Sequence, residues 1–109
     1  MELSIDLKSL RSLPDPGLCR LRNRFSVLLA FSRRHLRPEE FARLLDMQGK
    51  GDLWLLARPP VSAQRRRLAR QLNRTLEGLL QEMEKGEFPR SGLWGASRSY
   101  GQVFGGLEE

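Results

Sequence analysis

Asp15-Pro-Gly-Leu-Cys-Arg-Leu-Arg-Asn-Arg-Phe-Ser-Val-Leu-Leu-Ala-Phe31 is the stretch on which the fold turns. Asp15 can cap free N–H groups and Pro16 is tolerated in a first helical turn, so the pair opens a helix. Leu18, Leu21, Phe25, Leu28 and Leu29 then recur at helical spacing, with Arg20, Asn23 and Arg24 largely on the other side. From Phe25 to Phe31 only Ser26 interrupts an apolar run. A helix that apolar on nearly every side is buried on more than one face. This first helix is expected at the centre of the core or of a dimer interface.

Downstream, His35 to Arg37 breaks the pattern, and Pro38-Glu39-Glu40 reads as a new first turn with acidic groups at the positive end of a helix dipole. Phe41, Leu44 and Leu45 supply the apolar face of a short second helix that Gly49 and Gly51 end. Asp52 then caps a third, Leu53 to Ala57, which Pro59-Pro60 stops. Ser62 opens a long fourth helix, Ala63 to Lys85, closed by Gly86 in a left-handed conformation. Its residues Leu68, Leu72, Leu76, Leu79, Leu80 and Met83 form one stripe suited to helix pairing. Beyond Gly86, glycines interleave with Phe88, Trp94, Tyr100 and Phe104, a spacing that predicts an irregular tail. Its aromatics would pack back on the domain or order against a partner. At the other end, Leu3, Ile5 and Leu7 alternate as in a strand, whereas Leu3, Leu7 and Leu10 suit a helix. The expectation is one all-α domain over residues 1–109, with an N-terminal segment 1–14, a helical core 15–86 and an irregular Gly/aromatic tail 87–109.

A chain of 109 residues buries about 65% of its unfolded surface, enough for one core and not for two domains. One histidine, His35, and one cysteine, Cys19, leave no intramolecular disulfide and no cluster of metal-ligand types. There is no Gly-rich phosphate loop either, so no catalytic set, metal or cofactor is expected and the function must come from surfaces. No apolar run approaches the roughly 18 residues of a membrane span. The first residues lack the basic and apolar regions of a secretory signal, and a cytoplasmic protein is expected. The formal charge of +6 is unevenly placed: residues 1–17 carry −1, residues 18–75 carry +10 and residues 76–109 carry −3. A basic middle of this kind meets a polyanion, an acidic protein or only solvent.

Three features carry functional candidates. Pro38 to Arg58 loosely fits a helix-turn-helix, with Ala42 inside the first helix and Leu53 and Leu56 as anchors of the second, although that second helix offers almost no base-reading side chains. Arg65, Arg66, Arg70 and Arg74, with Arg67 in the same run, form a candidate basic face for an acidic partner or nucleic acid. The third is an apolar surplus: Phe31, Trp54, Leu55 and Leu28 are candidate partner-binding groups, with Val27 and Leu29 beside them on the first helix.

The stretch Ser26-Val-Leu-Leu-Ala-Phe-Ser-Arg-Arg-His-Leu-Arg-Pro-Glu-Glu-Phe-Ala-Arg-Leu-Leu-Asp-Met47 resembles the first part of the FlhD flagellar regulators, with Asp46 where that family usually has Gly. The resemblance implies an all-helical dimer working inside a bacterial transcription complex, its partner supplying much of the DNA contact. Together these readings point to a small non-enzymatic transcriptional regulator. It would form a homodimer through the first helix, with or without the long fourth helix, and bind a partner transcription factor as co-regulator or anti-activator. Direct DNA binding by a degenerate helix-turn-helix is one alternative. A structural or assembly subunit unrelated to transcription is another.

Overall fold

Asp15 opens the first helix, α1 (Pro16–Ser32), as the sequence predicts: its Oδ1 accepts the Gly17 N–H at 2.7 Å, with Pro16 in the first turn. The computed structural model describes residues 15–106, so the strand-or-helix question over residues 1–14 lies outside the described residues. A single 3-10 turn, Arg33–His35, leads into α2 (Pro38–Ala57). There Glu40 reaches back to accept the Arg37 N–H at 2.9 Å. Ser62 caps α3 (Ala63–Glu84) by accepting the Arg65 N–H at 3.1 Å. Gly86, with φ of 93°, ends it: the Gly86 N–H donates to Met83 O and the Glu87 N–H to Glu82 O. Those two bonds satisfy carbonyls that the helix leaves open and require a residue tolerant of positive φ. The last helix, α4 (Arg90–Gly101), runs into a π-type turn, Gln102–Gly106.

Two expectations are corrected here. The predicted second and third helices are one, because α2 passes through both Gly49 and Gly51, so the long α3 is the third helix rather than the fourth. Gly51 is buried against α4, where a Cβ would stand 3.0 Å from the Tyr100 hydroxyl and 3.3 Å from the Phe104 ring. Asp52, expected as a cap, lies mid-helix and binds Arg22 of α1 in a fork, Nε to Oδ1 at 2.7 Å and Nη2 to Oδ2 at 3.1 Å. The second correction concerns the tail, which is helical from Arg90 to Gly101. Leu93, Ala96 and Tyr100 fall on one face of α4 and are buried, and burial of that face offsets the poor helix propensity of its glycines.

The helices form an all-α bundle with no strand among the described residues. α1 packs on α2 and α3, and α4 packs on the same two, so α2 and α3 stand at opposite corners. Leu18, Leu21, Phe25, Leu28 and Leu29 of α1 are all buried within the chain, facing Leu44 and Leu55 of α2, Leu72 and Leu76 of α3, and α4. The stripe expected to serve a dimer interface is thus covered by the chain's own helices. At the centre, the Phe25 and Tyr100 rings stack with centroids 3.9 Å apart. Such a pair adds about 1 kcal/mol to what its area burial supplies. Ser32 and Ser97, both buried, donate to the carbonyls of Leu28 and Leu93 one turn back, so neither hydroxyl is unpaired. Among the described residues no helix is long and apolar enough to cross a membrane.

Candidate partner-binding face

α1 and α3 lie side by side, and their outward residues make one surface. On α3 the positions 66, 67, 70 and 74 recur every three or four residues, so four arginines project from one face. Arg66 is anchored, its Nε donating to the Asp15 carboxylate that also caps α1. That bond places an anion near the start of α3, where a row of cations otherwise opposes the helix dipole. Arg67, Arg70 and Arg74 are exposed and make no ion pair among the described residues. α1 adds Arg20, also exposed, and Arg24, which lies across the helix boundary with Nη1 3.3 Å from Asn73 O and 3.9 Å from Glu77.

At the other end of this face the surface turns apolar. Val27 is 44% exposed and Phe31 50% exposed. Phe31 borders an open groove of roughly 780 Å³, walled by Arg34 and His35 after α1 and by Met83, Gly86 and Glu87 at the end of α3. His35 stacks on Phe88, ring centroids 4.4 Å apart, and its carbonyl accepts the Arg90 guanidinium at 2.9 Å, which fixes one rim. From Arg66 to Met83 α3 rises about 25 Å, the length of a partner helix of four to five turns. The surface therefore offers an apolar anchor at one end and a cationic row at the other.

The sequence-predicted site residues divide sharply. Phe31, Arg66, Arg70 and Arg74 lie together on this face. Leu28 and Leu55 do not, because both are buried in the core, at 0% and 8% exposure. Trp54 is half-buried and already engaged: the Phe104 ring meets it edge-on at 5.6 Å, and the Arg65 guanidinium covers it at 4.8 Å. Arg65, expected on the basic face, is instead buried, its Nη1 donating to the Val103 carbonyl. It ties α2, α3 and the C-terminal turn together. The helix-turn-helix weighed as an alternative over Pro38–Arg58 is absent, since those residues hold no turn and no second helix. Arg20 and Arg24 join this face from α1, and their i, i+4 spacing on its polar side is the signal in the sequence. Cys19, partly exposed, has its thiol pushed up by burial and then by the Asp15 carboxylate. No protein-family model, curated protein or solved structure matches this chain.

Proposed function

We propose that the chain is a non-enzymatic regulator of transcription that binds a partner transcription protein, as co-regulator or anti-activator, through the α1–α3 face. The observation that carries this reading is the half-exposed Phe31 at its groove, in line with the cations of Arg67, Arg70 and Arg74. A desolvated aromatic anchor supplies binding energy, and a charged row beside it orients an acidic partner and speeds encounter. The transcription setting comes from the likeness of residues 26–47 to the FlhD regulators. A pull-down from native lysate, with and without nuclease, followed by mass spectrometry tests it. A transcription factor retained after nuclease is expected, lost with Phe31→Asp and weakened by Arg70→Glu with Arg74→Glu. Retention that vanishes with the nucleic acid overturns the reading.

The same three arginines, exposed and without an ion pair among the described residues, favour a second reading, phosphate contact with nucleic acid. It predicts an affinity whose logarithm falls with the logarithm of salt concentration by about 0.9 per phosphate neutralised. Phe31→Asp would then leave binding unchanged.

A further inference from the structure

Among the described residues, three of the five exposed large hydrophobic side chains lie on the outer face of α2. Leu45, Leu53 and Leu56 are 44%, 69% and 68% exposed, and Ala42 and Gly49 beside them are exposed as well. Steps of three and four residues place these five within an arc of about 80°, as narrow as a coiled-coil seam. The opposite side of α2 is already spent, because it buries Leu44, Gly51 and Leu55 in the core. A Cβ at Gly49 would meet nothing within 4 Å, so the middle of the seam is open and nearly flat.

We propose that this seam is the dimer interface of the protein, on which a second copy of the same chain docks antiparallel with the two α2 helices crossing at Gly49. The order of charges singles out that occupant. Along one edge of the seam, Glu39 and Asp46 precede Gly49, whereas Lys50 follows it. Asp46 and Lys50 lie 3.5 Å apart with side chains 70% and 77% exposed, so both can reach outward. Laid antiparallel about Gly49, Leu45 meets the partner's Leu53 and Ala42 meets the partner's Leu56. The same register sets Lys50 beside the partner's Asp46. A parallel pair would instead oppose Asp46 to the partner's Asp46 and align the helix dipoles. The remaining charges of α2 do not interfere: Arg43 is turned to α4, its guanidinium 6.0 Å from the Trp94 ring, Asp52 is held by Arg22, Glu40 accepts from the Arg37 N–H and from Arg90, and Glu39 pairs with Arg37. One patch that complements itself after a two-fold rotation is what an isologous dimer requires. The seam is about 21 Å long, which suits a reversible dimer. Since α2 and α3 stand at opposite corners, the α1–α3 face stays open in both copies.

Sedimentation equilibrium of the full chain over a wide concentration range tests this, with variants at exposed positions and circular dichroism to verify the fold. A reversible dimer is expected, weakened about 100-fold by Leu53→Asp. Asp46→Lys or Lys50→Glu alone should each weaken it about threefold, and the double exchange should restore it. In a Cys19→Ser background, mixing Leu45→Cys with Leu53→Cys chains should give the mixed disulfide in excess over either symmetric one. A monomer at every concentration overturns the proposal and leaves the seam to residues 1–14 or a different protein. So does a dimer indifferent to Leu53→Asp, and so does a preference for the symmetric Leu45→Cys disulfide, which would mean parallel pairing.

Discussion

Tyr100 is fully buried, its ring stacked on Phe25, and among the described residues its hydroxyl has no hydrogen-bond partner. A buried hydroxyl left unpaired forfeits about 1–3 kcal/mol of hydration. Tyr100→Phe keeps the stacking and removes that loss, so it should raise stability by about 1 kcal/mol in denaturant titrations. A fall of the same size would show that the hydroxyl is bonded. The phenol is also held well above its usual value of 10.0, by burial first and by the Asp52 carboxylate second. Its contribution is therefore fully present below the unfolded-state value and is lost as pH rises beyond it, because the unfolded chain ionises more readily. Tyr100→Phe should flatten the decline in stability above about pH 10.

Helix ends and helix interiors answer to different residues. At the start of α2, Glu40 is held below the usual 4.5 by the Arg37 N–H it accepts, with Arg90 adding attraction through Nη1 at 3.2 Å. A depressed carboxylate stabilises the fold above its unfolded value, and that contribution disappears as pH falls through the folded one. Glu40→Gln should lower the melting temperature at neutral pH, and the gap from the parent should close on acidification below 4.5. Inside the helices, glycines diverge by surroundings. Gly78 on α3 faces open space, so Gly78→Ala should stabilise by about 1 kcal/mol. Gly51→Ala would bring its Cβ to 3.0 Å and 3.2 Å from Tyr100 atoms. That overpacking costs about 1–3 kcal/mol and outweighs the gain in propensity. Equal melting temperatures for the two variants would refute the close packing of α2 on α4.

Across the bundle, Arg65 joins parts that are distant in sequence. It starts on α3, covers Trp54 of α2 and donates to Val103 beyond α4. Arg70, one turn and a fraction further along, touches solvent. Arg65→Ala should destabilise by about 3 kcal/mol, since it leaves a buried carbonyl unpaired and a cavity beside Trp54. Arg70→Ala should stay within about 0.5 kcal/mol, as surface changes do. Similar losses for both would mean that Arg65 is not buried. The corner arrangement also separates two surfaces, an α1–α3 face with Phe31 and the exposed Arg67, Arg70 and Arg74, and an α2 seam with its leucines. The partner binding and self-association proposed for these two surfaces are therefore expected to be lost independently, the first by Phe31→Asp in a pull-down and the second by Leu53→Asp in sedimentation equilibrium.

Caps and stripes were legible in the linear chain because they are local. Asp15-Pro16, Ser62 and Gly86 each act on backbone groups within a few residues, and the spacing of the α1 leucines shows that they share one side of the helix. Half of the candidate site was legible for the same reason, since Arg66, Arg70 and Arg74 share a face by periodicity. The rest depended on partners far along the chain. Gly51 reads as a terminator until Tyr100 occupies the space that a side chain would have filled. The glycine-rich segment 90–101 reads as irregular until Leu93, Ala96 and Tyr100 find the interior that supplies its stability. Phe31, Leu28 and Leu55 are alike in composition and pattern. Their fates differ only because the bundle covers Leu28 and Leu55 and stops short of Phe31. Periodicity reports which residues lie on the same side of a helix, but whether that side meets solvent is set by the helices packed beside it.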